Sequence, residues 1–445
     1  MSVEPDVFAG QKRAQAIVAR FWLLARRERF RVLLCFGNPL GNAIGDTTMA
    51  TQHVAYLRSA NSNVEITVWT ANASVWKQLG DDRVQCSPIV SSITSRDFDL
   101  CIFDWVSAGE DLLAHLRDQM VFSIVWPSWG ANPLVLTEVG QFERFELPAG
   151  TNQPSRVGDL YRALEVKRPV SSSNLSVRSG NKLVFQPFAS IRWKSLPSEA
   201  ALTLVRDLSR ALRGCAKLVL PLPPRHSSEE LIRFSQALRR AITDDDVAAD
   251  IEFADSLSLS SYIDLIRGAA LVVGPDSSSQ HIAARCGVPC ISLYPPKSGY
   301  NYFFFGPQEG KNLQLRLSGG SDEKALSRAV VFLANRLLER DDDRLSPSTR
   351  ASIIKAAQAL VDQLISIEAE RSLEPQALSA LTDLLNRSLP TELDQLRAFL
   401  TEEFATVWKE AQSLLDSQAS PEQLQIVRQR ARSLNASRII NTLCF

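Results

Sequence analysis

Three stretches of the chain gather residues able to act on a phosphorylated substrate. The first is Gly274-Pro275-Asp276-Ser277-Ser278-Ser279-Gln280-His281, which follows the apolar Leu271-Val272-Val273 and leads into a helix beginning near His281. A helix N-terminus has unpaired N–H groups and a partial positive charge, so it suits phosphate, and three serines there add hydroxyl donors. An Asp or Ser N-cap with no ligand is the plainer alternative, and His281 alone reads slightly better as a packed helix residue than as a contact. The second stretch, Gln186-Pro187-Phe188-Ala189-Ser190-Ile191-Arg192-Trp193-Lys194, directly follows a strand over 182–185. It places Ser190, Arg192 and Lys194 where an α/β sheet presents its carboxyl ends, the usual ligand crevice. Lys194 or Arg192 can neutralise a departing pyrophosphate there; a solvated basic loop is the alternative.

The third stretch, 37–46, runs between a strand and a helix and ends in Gly45-Asp46. It is no P-loop, because no Gly-Lys-Ser/Thr follows, and it lacks the Gly-x-Gly-x-x-Gly spacing for dinucleotides. Asp46 either caps the helix or, facing a crevice, serves as a general base. His53, two turns further on, reads as structural, and His226 as a loop residue more often away from a cleft than lining it. Ser-His-Asp order, zinc spacing and paired carboxylates are all missing, so hydrolase and metalloenzyme readings have no positive support.

The elements that must position these residues alternate in type. Strands are expected over 31–36, 64–69, 98–103 and 121–126, with helices over 47–59 and 110–119. Short strands separated by helical stretches imply a parallel sheet with crossover helices. Residues 148–154 read as loop, and the polar, unpatterned 170–176 as the boundary between domains. The pattern then restarts, with strands over 182–185, 217–220, 251–253, 271–273 and 289–293 and helices over 198–213, 227–241 and 260–269. After Gly320 there is no glycine, and leucine, alanine and charge repeat at helical spacing. Helices are expected over 323–340, 349–372, 376–387, 393–415 and 422–434, broken near Pro347, Pro375, Pro390 and Pro421. The domains are therefore 1–170, 171–320 and a helical extension over 321–445.

Composition sets outer limits. At 445 residues the chain has room for two or three domains, and its formal net charge of zero argues against a chain-wide nucleic-acid-binding surface. No apolar run approaches the roughly 20 residues a membrane span requires. Residues 14–30 read as an amphipathic helix docked on the first domain, with a peripheral membrane anchor the minority reading, and not as a secretory signal. Seven scattered cysteines, an odd number with several in core strands, point to reduced thiols and a cytoplasmic location. Cys286 and Cys290 straddle Gly287-Val288-Pro289 and read as small buried hydrophobes, not half of a metal site.

Taken in order, 31–36, Gly45-Asp46, 185–197 and above all 257–296 resemble the heptosyltransferases, glycosyltransferase family 9. The resemblance runs from about residue 31 to 317. It implies an α/β GT-B fold, two Rossmann-like doubly wound domains facing across a cleft, here with an all-α C-terminal appendage. It also implies an inverting, metal-independent enzyme moving a heptose-like or other hexose from a nucleotide-diphosphate donor, with no cofactor. By that resemblance Asp46 is the base, and Lys194, with Ser190 and Arg192, steadies the departing diphosphate. Asp276, Ser277, Ser278 and His281 hold sugar and pyrophosphate, while Asp255, Leu257 and Ser258 flank the nucleoside. The chain departs from the family at Ser278, where relatives commonly carry glycine, in the 37–43 loop, and in the helical extension.

The acceptor is open among a glycan, a protein and a small molecule, and self-association or a protein partner through the C-terminal helices is expected. A second class of reading is a catalytically degenerate GT-B scaffold, against which Asp46 and Lys194 both stand in place. A sugar-nucleotide epimerase calls for more acid and base residues than the sequence supplies.

Overall fold

The computed structural model describes residues 7–36, 44–87, 93–126, 133–145, 153–167, 181–189, 192–224, 227–244, 250–275, 277–294, 312–316, 323–338 and 375–388, with 405, 408, 409 and 411–413. The chain divides into two compact units, Met1–Ser172 and Ser173–Phe445. The expected helices over 349–372 and 422–434 lie outside the described residues, as does nearly all of 393–415.

The first unit opens with α1 (Val7–Ala25) and continues through β1 (Arg31–Cys35), α2 (Ile44–Ala50), α3 (Gln52–Ala60) and β2 (Glu65–Trp69). A single turn, α4 (Ala73–Val75), runs into a π-helical turn over Trp76–Gly80, followed by β3 (Gln85–Ser87) and β4 (Leu100–Asp104). Then come α5 (Trp105–Asp118), β5 (Phe122–Trp126), β6 (Leu134–Leu136), β7 (Phe142–Arg144) and α6 (Gln153–Ala163). The sheet order is β3-β2-β1-β4-β5-β6-β7, parallel from β3 to β5 and antiparallel beyond. Its central strands are apolar on both faces, as a sheet covered on both sides requires: all of Val32, Leu33, Leu34 and Cys35 are buried.

The α1 helix is part of this core. Ile17, Phe21 and Leu24, spaced on one helical face, are buried together with Phe30 and Val32. Burying a large apolar side chain fully stabilises by roughly 1.5–3 kcal/mol, enough to hold the helix against its own unit. The Trp22 indole donates to the Leu164 carbonyl at 2.9 Å, and Arg20 lies over the Phe122 ring while donating to the Leu136 carbonyl at 3.2 Å. No helix among the described residues is long and apolar enough to cross a membrane.

The second unit runs β8 (Lys182–Phe185), α7 (Ser198–Ala211), β9 (Lys217–Pro221), α8 (Glu229–Thr243), β10 (Ile251–Ala254), α9 (Leu259–Arg267) and β11 (Leu271–Pro275). It continues with α10 (Ser278–Cys286), β12 (Cys290–Tyr294), β13 (Asn312–Arg316), α11 (Glu323–Leu338) and α12 (Pro375–Ser388). Every described pairing in its sheet is parallel, in the order β10-β9-β8-β11-β12-β13. This is the doubly wound order in which the first strand lies at the centre and the chain winds outward in both directions. Two Rossmann-like units in one chain is the composition expected for a GT-B fold.

The first helix beyond residue 320 packs on the second unit's α/β layers. α11 packs on α7 and reaches β11 and β12, burying Leu326, Val330, Leu333 and Ala334, and Ser327 Oγ donates to Asp207 Oδ2 at 2.6 Å. Its apolar stripe is the face that packs against the second unit.

Candidate functional site

In an open parallel sheet, ligands bind outside the carboxyl ends of the strands where the winding reverses. In the second unit that point lies between β8 and β11. The connection leaving β8 carries Lys194, and the one leaving β11 enters α10. The two sequence stretches richest in phosphate-binding residues thus emerge from neighbouring strands.

The connection after β8 is built to hold one shape. Gln186 N donates to the Val273 carbonyl at 2.8 Å, carrying the ladder one residue past the strand. Gln186 Nε2 donates to the Phe188 carbonyl at 3.1 Å, and Ala189 N donates to Ser195 Oγ at 2.9 Å. Leu196 N returns to the Pro187 carbonyl at 3.1 Å, closing the loop. Half-buried Lys194 ends a 3₁₀ turn, Arg192–Lys194, inside this closure. Gly274 makes the arrangement sterically possible, since a Cβ there would sit 2.5 Å from the Gln186 carbonyl oxygen.

Arg192 is engaged within the protein. Its guanidinium lies 4.2 Å over the Phe234 ring, donates to the Leu196 carbonyl at 3.1 Å and stands 4.0 Å from Glu230. It ties the loop to α8, which makes it part of what positions Lys194. Ser190 lies outside the described residues.

At α10 the helix begins three residues earlier than the sequence pattern suggests. Ser277 is its N-cap in extended backbone (φ −151°, ψ 174°), and its hydroxyl makes no capping bond. Ser277 Oγ instead lies 2.7 Å from Ser279 Oγ. Ser278, the first helical residue, is not among the positive-φ residues, so a serine fits at this position without backbone strain. His281 is buried one turn into the helix, and Gly287 ends it in the left-handed conformation at φ 72°. Asp276 and His226 lie outside the described residues.

The residues expected at the nucleoside follow β10, two strands from β8, roughly 10 Å away at the usual strand spacing. Asp255 is exposed and receives Arg239 Nη1 on both carboxylate oxygens at 3.0 Å. Ser258 caps α9, accepting from Ser261 N at 3.1 Å, and Leu257 beside it is half-buried. Asp255 and Ser258 are therefore already engaged within the protein.

In the first unit the winding reverses between β1 and β4, and the connection after β1 leads to α2. Asp46 occupies the first turn of α2 and is half-buried, while the expected glycine-rich loop at 37–43 lies outside the described residues. The next residue, Thr47, is buried and receives Asn72 Nδ2 on its hydroxyl at 3.3 Å, which ties the helix start to the end of β2. Thr48 and Thr51 return their hydroxyls to the Ile44 and Thr48 carbonyls at 2.7 Å each, and the helix expected over 47–59 breaks in two at Thr51. His53 is structural: its Nδ1 is 3.0 Å from the Tyr161 hydroxyl and its ring stacks 4.8 Å from Phe36. Burial holds the imidazole neutral, down to about 3.

Among the described residues no group of three or more His, Cys, Asp or Glu could hold a metal ion. The six described cysteines are free thiols, and burial pushes Cys290 up to about 12. Sequence reasoning missed Gly274 and Asn72. Only Gly274, a glycine within an apolar strand, carries a signal of close backbone approach.

Residues 142–318 match glycosyltransferase family 9 (heptosyltransferase), and over this segment the family resemblance is shown. The match spans the strands of the second unit, including Lys194 and α10, and does not reach Asp46. No curated protein matches the chain. Among solved structures, the E. coli heptosyltransferase WaaC with ADP-2-deoxy-2-fluoro heptose is 15% identical at a TM-score of 0.47, covering 69% of this chain and 99% of that one. E. coli ADP-heptose lps heptosyltransferase II is 16% identical at 0.47, covering 69% and 98%. A glycosyl transferase family 9 protein of Veillonella parvula is 13% identical at 0.45, covering 65% and 86%.

Proposed function

We propose that the chain is a nucleotide-sugar glycosyltransferase that transfers a sugar to an acceptor hydroxyl with inversion and without a metal. The observation that carries this reading is the winding reversal of the second sheet. There Lys194 and the N-terminus of α10 leave adjacent strands inside the segment that matches family 9.

In the reaction, Asp46 takes the proton of the acceptor hydroxyl as its oxygen bonds to the anomeric carbon. The bond from that carbon to the diphosphate oxygen breaks, and its electron pair leaves with the diphosphate. The Lys194 ammonium and the first-turn amides of α10 meet the charge that develops there, an interaction strongest in the transition state. Arg192 holds the Lys194 loop in shape. Leu257 offers an apolar edge to the nucleoside, with Asp255 and Ser258 framing it through their bonds to Arg239 and Ser261. The assignment of Asp46 rests on its place after β1 and on the family resemblance.

The test is Asp46→Asn, which keeps the shape of the side chain and removes its basicity. Loss of general-base catalysis lowers kcat by about 10²–10⁴-fold, while donor affinity stays within experimental scatter. Normal turnover in the variant removes Asp46 as the base.

A further inference from the structure

Gln186 interrupts an apolar run. Leu183, Val184 and Phe185 of β8 are fully buried, and Gln186, the next residue, is only 9% exposed. A polar side chain thus stands where an apolar one would continue the packing. Its amide has a single workable orientation. The Phe188 carbonyl can only accept, so Nε2 faces it, donating at 3.1 Å, and Oε1 is turned the other way. There Oε1 is buried and accepts no hydrogen bond among the described residues. A buried acceptor left without a donor destabilises a fold by at least as much as one hydrogen bond stabilises it. For stability alone, a methionine of similar length would serve as well. What the amide adds is shape. Its bond to Phe188 turns the chain back as it leaves the sheet, while Ser195 Oγ accepts from Ala189 N at 2.9 Å and Leu196 N donates to the Pro187 carbonyl at 3.1 Å. Each residue from 186 to 189 is thereby tied by a hydrogen bond, and Lys194 comes immediately before Ser195.

We propose that Gln186 is a positioning residue whose carboxamide sets the course of the chain from β8 to Lys194, and so the place of the ammonium against the diphosphate of the donor. It does so while leaving its own oxygen unpaired, which marks it as a residue of the site and not of the packing. The inference rests on the reading of Lys194 as the diphosphate's cation.

The experiment uses the full chain and calorimetric titration with ADP, GDP, UDP and dTDP, each beside its unphosphorylated nucleoside. Gln186→Met keeps the length of the side chain and deletes the amide. It exchanges the unpaired Oε1 for an unpaired Phe188 carbonyl and gains apolar contact, so the thermal midpoint stays close to the parent's. Affinity for the nucleoside diphosphate that binds falls by about 3- to 10-fold, the range expected for one lost hydrogen bond, while affinity for the matching nucleoside is unchanged. In a Lys194→Ala background the same substitution changes diphosphate affinity little, because the group it positions is gone. A Gln186→Met chain that binds diphosphate as the parent does overturns the inference and leaves the Lys194 reading standing. So does an effect that adds fully to that of Lys194→Ala. A variant that fails to fold, or that melts well below the parent with both affinities weakened, also overturns it, because the amide is then structural. A parent chain that binds no nucleoside diphosphate overturns the Lys194 reading, and the inference with it.

Discussion

Replacing Gly274 by alanine tests whether the two strands at the winding reversal must touch through their backbones. The new Cβ would lie 2.5 Å from the Gln186 carbonyl oxygen and 3.3 Å from its carbonyl carbon, and both are backbone atoms that cannot swing aside. Ordinary contact begins at 3.4 Å, about 0.9 Å farther out than the closer of these. Parting the strands by that much strains the Gln186 N to Val273 carbonyl bond, now 2.8 Å. Overpacking of this kind costs about 1–3 kcal/mol and the weakened hydrogen bond about 0.5–1.5 kcal/mol more. A total of about 2–4 kcal/mol lowers the thermal midpoint of the second unit by roughly 5–15 °C. Because the Lys194 loop springs from Gln186, nucleoside diphosphate affinity falls as well. Differential scanning calorimetry and nucleotide titration read the two effects. Gly268→Ala is the control, since its Cβ would meet nothing closer than 3.4 Å. A Gly274→Ala chain with the parent's midpoint and affinity would refute the steric argument.

Two further predictions concern the first unit. Asp99, its side chain only 2% exposed, accepts from Arg31 N and from Arg27 Nη1, each at 2.8 Å. Asp99→Ala strands both arginines and should cost about 2–4 kcal/mol in urea denaturation; a change below about 0.5 kcal/mol, the ordinary surface range, would contradict this. His53 is held down to about 3 from its ordinary 6.5, so below pH 6.5 the unfolded chain binds a proton there that the folded chain does not. Its contribution to stability is full above pH 6.5 and falls as pH drops toward 3, at up to about 1.4 kcal/mol per pH unit. His53→Gln therefore flattens the acid side of the stability–pH curve, and an unaltered slope would exclude the histidine as its source.

The alternation of buried apolar runs with helical stretches made both doubly wound sheets legible, because parallel strands covered on two faces are uniformly apolar. Short elements were not legible. β6 and β7 have three residues each and form a hairpin closed by Thr137 and Gln141, too brief for any period to emerge. The start of α6 reads as loop because of Pro154, yet a proline in a helix's first turn forfeits no intrahelical bond. The early start of α10 is hidden by its serines, whose intrinsic preference is for turns and caps. The two cationic positions of the second unit could be named from sequence, but not sorted. That Arg192 ties the loop to α8 depends on Phe234 and Leu196, contacts that only the tertiary structure supplies.

The central claim is that the reversal point of the second sheet binds a nucleoside diphosphate through Lys194 and α10. Titrating the full chain with ADP, GDP, UDP and dTDP, and repeating the series with Lys194→Ala, tests it most directly. One diphosphate should bind and raise thermal stability, by about 2.7 kcal/mol at a hundredfold excess over its dissociation constant, with affinity clearly weaker in the variant. Failure of all four to bind, or an affinity untouched by the loss of Lys194, would contradict the account.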